Sequence, residues 1–363
     1  MFSFAIYRLP YEDSCTLLIQ ENGEPSELYS YNELSGKEGF VIAPFSLSAE
    51  DPILLLHPDR SEKMLLKDSI SVMNESIFAE RDTEKEKERY IIDFDNFHSQ
   101  INENEFSKIV LSRCSIENSY DPISPEDLFE RACYLYPRMF VALVHTEQSG
   151  TWLTASPEIL LEGSERHWRT IALAGTMKLE GRQLDFDEKS ETISKETISK
   201  ETIRWSDKDR EEQRFVAAYI TECLEQYSQN VAEEGPITVR AGNLVHLRSN
   251  FDFTLPKTSE LGDLINTLHP TPAVCGIPKD KARRFIIDNE YIPRHYYSGF
   301  MGPLYPERET HLYVSLRCMK IDDAKYELYA GGGLIRESEM ESEWKETESK
   351  METMRKCLVI KKI

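Results

Sequence analysis

The stretch Phe106–Ile116, FSKIVLSRCSI, puts a lysine inside an apolar strand pattern. Ile109 and Leu111 alternate with Lys108, Val110 and Ser112, the period-two signature of a half-buried strand. Read alone, such a lysine turns to solvent, because lysine is almost never fully buried without a partner. Strand-like alternation recurs at 139–146, 151–162, 311–321 and 325–330. Amphipathic helices stand among these segments. One opens at Ser124 with SPED, an N-cap followed by proline and acids, and others cover about 207–228 and about 340–358. Long helices among strands without βαβ order predict an α+β fold rather than a doubly wound sheet.

With 363 residues, 40% of them hydrophobic, the chain can bury a large core as one big domain or two. Its 43 basic and 64 acidic side chains leave a net charge of −21. That balance gives no basic footprint for nucleic acid, and an anionic membrane would repel it. An anionic ligand must then be met by local cations, helix N-termini or a metal. Seven cysteines without a CxxC pair read as buried, reduced thiols of a cytosolic protein, not as a disulfide framework or zinc site. The opening MFSFAIYRLPYEDSC lacks a basic flank and a continuous apolar run, so no signal peptide is expected. No stretch approaches the ~18 apolar residues of a membrane span. Residues 1–100 hold short apolar runs at Phe40–Pro44 and Ile53–His57, then a charged helical stretch at Glu80–Arg89, with no legible chemistry. ETISKETISKETI, at 191–203, repeats every five residues, a period that fits neither helix nor strand. It reads as a surface-loop expansion, which costs little entropy.

Seven strings carry more information together than any does alone. They are FSKIVLSR, TASPEILL (154–161), ALAGT (172–176), HPTPAVCGIPKDKA (269–282), YYSGFMGPL (296–304), LYVSLR (312–317) and AGGGLIRESEMESEWKETESK (330–350). In this order they resemble the chorismate-using enzymes from about Glu105 to Met354, most closely the isochorismate synthase branch. The resemblance implies large mixed or antiparallel sheets packed with helices. It also implies a catalytic region at 101–363, with 1–100 a poorly characterised part of one integrated domain. The implied reaction adds water at ring carbon 2 of chorismate while the carbon-4 hydroxyl departs.

Roles follow motif by motif from that resemblance. Lys108 matches the general base, for which partial burial and a nearby cation would favour a neutral amine. Glu158 of TASPEILL matches the general acid, with Pro157 breaking strand pairing to turn the carboxyl into a cavity. Glu212, Glu343 and Glu346 match the ligands of Mg²⁺, which prefers oxygen donors. Arg317, placed on a strand face with Tyr313 and Ser315, and Lys350, one turn beyond Glu346, would hold substrate carboxylates. Gly331, Gly332 and Gly333 would bring backbone amides close to an anion, after a strand and before the acidic helix. Gly175, Thr176 and Ala273 correspond to pocket-lining positions. His269 reads as a structural hydrogen-bonder. Gln213, where a histidine often stands, and RHYYSG at 294–299 depart from the family pattern.

Lys108, and Ala174 where aminodeoxychorismate synthases carry a lysine, argue against an aminating enzyme, so no amidotransferase subunit is expected. The expected activity is therefore Mg²⁺-dependent isochorismate formation, with menaquinone as the expected pathway. The alternatives are salicylate synthase, which goes on to eliminate pyruvate, a siderophore-pathway synthase, and a catalytically silent relative acting as a binding partner.

Overall fold

In the computed structural model, which describes residues 2–66, 75–179, 203–241 and 244–361, the strands build two nine-stranded antiparallel sheets and one short parallel pair, Ser76–Ile77 with Ile360–Lys361. The first runs Gly276–Ile277, Lys108–Asn118, Lys325–Leu334, Cys318–Asp322, Gly150–Ser156, Phe140–Thr146, Ser3–Arg8, Ser14–Gln20 and Arg60–Leu65. The second runs Val231–Ala241, Leu244–Thr254, His167–Lys178, Ile159–Ser164, Thr310–Val314, Phe300–Leu304, Gly39–Ala43, Ile53–Leu56 and Ser26–Leu28. All but one of the repeat residues at 191–203 lie outside the described residues.

The two sheets stack face to face, and helices cover their outer faces. Alternation along single strands makes the division visible. Phe140, Ala142 and Val144 enter the core between the sheets, while Val141 and Leu143 pack outward under the helices Pro125–Leu135 and Met340–Leu358. In the second sheet Phe40 and Ile42 point inward, and Val41 and Ala43 pack outward under the helices Asp207–Leu224 and Leu261–Leu268. Strands buried on both faces read as continuous apolar runs, which is why Phe40–Pro44 gave no direction in the sequence. Two further helices, Thr83–Asn102 and Lys279–Asn289, close over Ile109, Leu111 and Trp344.

Several expected boundaries change. The charged stretch at Glu80–Arg89 belongs to the longer helix Thr83–Asn102, started by the Asp82 side chain accepting from the Lys85 amide. The helix expected to reach 228 ends at Leu224; it starts in a reciprocal cap between Ser206 and Asp209. The strands expected at 151–162 and 311–321 each break in two, because the chain leaves one sheet for the other. All seven cysteines are buried and free. Among the described residues no helix is long and apolar enough to cross a membrane.

Candidate active site

Two of those sheet-to-sheet crossings lie side by side. The chain passes from Gly150–Ser156 to Ile159–Ser164 through Pro157 and Glu158, and from Thr310–Val314 to Cys318–Asp322 through residues 315–317. The Val314 amide donates to the Glu158 carbonyl at 2.9 Å, and the Ala155 amide to the Arg317 carbonyl at 3.1 Å. Arg317 is therefore not on a strand face, as the alternation suggested. It sits in the crossing with φ +46°, a left-handed conformation that turns its side chain into the cavity beside Glu158.

That cavity is lined by Glu158, Gly175, Thr176, Glu212, Ala273, Arg317, Gly331, Gly333 and Lys350 from the expected set. Its open space is about 60 Å³, far below the ~300–1,000 Å³ of a pocket enclosing a small molecule. Lys108, Gly332, Glu343 and Glu346 stand outside that lining: Lys108 and Glu346 touch the lining residues Glu212 and Lys350, and Glu343 lies against Gly332.

Lys108 does not face solvent. It is fully buried between the pairing strands, and its Nζ lies 2.8 Å from Glu212 Oε1. The charged group at contact distance is thus an anion, not the cation expected. Burial would raise the Glu212 pKa, but Lys108, Lys208 and Lys350 together hold it below the usual carboxylate value. Its other oxygen accepts from the Gly175 amide at 3.2 Å. Gly175 has φ +69° and its Cα faces Asp209, where a Cβ would stand 3.1 Å from Asp209 Cβ. Glu158 is 2% exposed, and burial pushes its carboxyl up to about 7 against the pull of Lys108, Arg317 and Lys350. Thr271 Oγ1 donates to its Oε1 at 3.4 Å.

The three glycines also differ from expectation. They lie within the strand Lys325–Leu334, paired with Ser112, Leu111 and Val110, not after it. Their use is space. A Cβ on Gly332 would stand 2.9 Å from Glu343 Oε2 and 3.9 Å from Glu346 Oε1; one on Gly333 would stand 2.5 Å from Glu212 Oε1. The three carboxylates converge on this bare backbone. They do not form a closed coordination shell: among the described residues, no three His, Cys, Asp or Glu side chains are placed to hold a metal ion. Glu343 is 1% exposed, its Oε2 has no hydrogen-bond partner, and burial with Glu346 nearby raises its carboxyl to about 7. Lys350 bonds the Gly331 carbonyl at 2.8 Å and pairs with Glu346 at 2.7 Å. On the same helix Glu348 turns away to Arg81, Arg113 and Arg355, which fix the helix against the strand Lys108–Asn118.

Sequence reasoning missed His246, Lys208 and Thr271. His246 is buried, and Arg317 Nη2 donates to its Nε2 at 3.0 Å. Arginine cannot accept, so Nδ1 carries the imidazole proton and donates to the Gly175 carbonyl at 2.9 Å. Burial and the Arg317 charge lower its pKa to about 3, keeping the ring neutral. The signal was a histidine in an apolar run, NLVHL, but no residue beside it in sequence tells what it faces. His269 bonds the Pro44 carbonyl at 3.2 Å between Tyr31 and Phe300. Gln213 bonds the Ala172 carbonyl and Ser249. Arg294 of RHYYSG is buried against Glu290.

A family model described as chorismate binding enzyme matches residues 38–359. The chain belongs to this family. The match begins well before Glu105, where the motif resemblance starts, so it takes in strands of the N-terminal third. The isochorismate synthase MenF of Escherichia coli K12 is 30% identical over 258 residues, 71% of this chain and 57% of that protein. The isochorismate synthase EntC of the same strain is 30% identical over 249 residues, 68% of this chain and 61% of that protein. The chain therefore spans about three fifths of the length of these curated relatives. A crystal structure described as a putative 2,3-dihydroxybenzoate-specific isochorismate synthase, DhbC from Bacillus anthracis, superposes with a TM-score of 0.81. It is 23% identical, with 98% of this chain and 96% of that one covered, so the shared fold extends over the N-terminal part.

Proposed function

We propose that this protein is an isochorismate synthase, with Lys108 as base, Glu158 as acid and the whole chain acting as one integrated domain. The observation that carries the reading is a fully buried lysine behind the wall of a cavity that holds a buried arginine and a carboxyl raised by burial to about 7. The two curated relatives named above support it. Lys108 removes a proton from water as the oxygen bonds to ring carbon 2. The ring double bonds shift, and Glu158 protonates the carbon-4 hydroxyl, which leaves as water. Arg317, held by His246, orients one substrate carboxylate, and Lys350 a second. To act as base, Lys108 has to give up its contact with Glu212.

Three buried or half-buried carboxylates around Gly332 and Gly333, one with an orphaned oxygen, fit a hard divalent cation. Glu212, Glu343 and Glu346 would hold Mg²⁺, which when bound would offset most of their charge and fix the ring carboxylate. We place the reaction in the cytoplasm, where the seven free thiols stay reduced, and its product in menaquinone synthesis.

The metal assignment has a direct test. Glu212→Ala or Glu346→Ala should raise both the Mg²⁺ concentration needed for half-maximal rate and the KM for chorismate. Partners outside a metal's ligand shell already cost roughly 10–100-fold when lost, so a ligand should cost at least that. Glu339→Ala, exposed at the start of the same helix, should change neither. Equal losses in all three variants would mean that local charge density matters, not a site.

A further inference from the structure

Each of the three glutamates assigned to the metal is matched by its own lysine. Lys108 lies 2.8 Å from Glu212, Lys350 lies 2.7 Å from Glu346, and Lys208 contacts Glu343 Oε1. Lys108 and Lys350 already have work to do on the substrate. Lys208 has none, and no motif in the sequence singled it out.

Its position is built into the helix Asp207–Leu224. The Ser206–Asp209 cap starts the helix one residue before Lys208, and Glu212 follows four residues later on the same face. From there the side chain is 24% exposed, while the Glu343 side chain it meets is 1% exposed. Glu343, Glu346 and Glu212 all act on its ammonium, so Lys208 feels the whole cluster and not its contact partner alone. The remaining Glu343 oxygen is buried against Gly332 without a hydrogen-bond partner. Each carboxylate is engaged by its own lysine, and among the described residues the three do not make a closed metal shell.

Building on the metal assignment above, we propose that Lys208 stands in for the divalent cation. In the metal-free protein its ammonium neutralises the buried Glu343 carboxylate, and the cation enters by displacing it. Lys208 is then a positioning residue that sets metal affinity from within, as a tethered competitor. Its solvent-facing share gives the displaced ammonium a way out. The lysine also spares the fold a buried, uncompensated carboxylate when no metal is bound.

The experiment is a calorimetric titration of the purified protein with MgCl₂ alone, without chorismate, on wild type, Lys208→Met and Lys208→Arg. Lys208→Met removes the charge and keeps the bulk, so it should bind Mg²⁺ about tenfold more tightly, the equivalent of one modest ion-pair contact. Lys208→Arg retains the competing charge and should bind no more tightly than wild type. In metal-free buffer Lys208→Met should melt below wild type and gain more on adding Mg²⁺, a readout open even to a weakly stable variant. Unchanged or weaker Mg²⁺ binding by Lys208→Met would overturn the proposal. So would unchanged Mg²⁺ binding with a raised KM for chorismate, which would mean that Lys208 holds substrate. If wild type binds no Mg²⁺ and Glu212→Ala changes nothing, the metal assignment itself fails and takes this proposal with it.

Discussion

Lys108→Ala should reduce kcat by at least ~10²–10⁴-fold, the usual worth of a positioned general base, with little change in KM. The base acts in the transition state, so its loss should fall on turnover rather than on substrate binding. The variant should still fold, since both flanking strands keep their backbone pairing: Ile109 with Gly276 and with Leu334. It should nonetheless be less stable. Removing the ammonium leaves Glu212 without its 2.8 Å partner, and breaking one side of a buried pair costs ~3–5 kcal/mol. Steady-state rates and a thermal melt separate the two effects. Activity within tenfold of wild type, in a variant shown to be folded, would remove Lys108 from the chemistry.

Glu158→Gln should cost as much, and it carries a pH signature. The carboxyl must be protonated to donate to the leaving hydroxyl, and burial holds its pKa at about 7. In wild type at saturating Mg²⁺, kcat should therefore fall as pH rises through about 7, and the residual rate of Glu158→Gln should lack that limb. Stability gives a second reading with a definite sign. The folded pKa, about 7, lies above the ordinary 4.5, so the fold favours the protonated acid. That contribution is complete below pH about 4.5 and is lost as pH rises through about 7. Relative to wild type, Glu158→Gln should gain melting temperature across that window. A kcat profile flat from pH 6 to 9 would show that Glu158 is not the acid.

The sequence carried local patterns well and spatial neighbours poorly. The SPED cap at Ser124 and the acidic helix at 340–358 were legible because caps and helical faces are set by residues a few positions apart. Pro157 marked a break in the chain, and Glu158 does lie at a crossing between sheets. Arg317 was misplaced because LYVSLR alternates perfectly up to the residue where the chain changes sheets. Its left-handed φ occurs where its carbonyl accepts from the Ala155 amide, far away in sequence. Lys108 looked exposed by propensity because its partner, Glu212, comes from a helix about a hundred residues on. The glycines suggested anion-binding amides, whereas pairing with the strand Lys108–Asn118 leaves their missing side chains as the useful feature. The first hundred residues carried no motif because their part is to supply strands to both sheets and one covering helix.

The most direct test is to incubate the purified full chain with chorismate and Mg²⁺ and identify the products by NMR, with a lactate dehydrogenase couple reporting pyruvate. Isochorismate should appear and approach equilibrium with chorismate, without pyruvate, and added ammonia should yield no amino product. All of it should disappear when Mg²⁺ is chelated. Chorismate left unchanged with Mg²⁺ present would contradict the account, as would sustained pyruvate release without an added lyase.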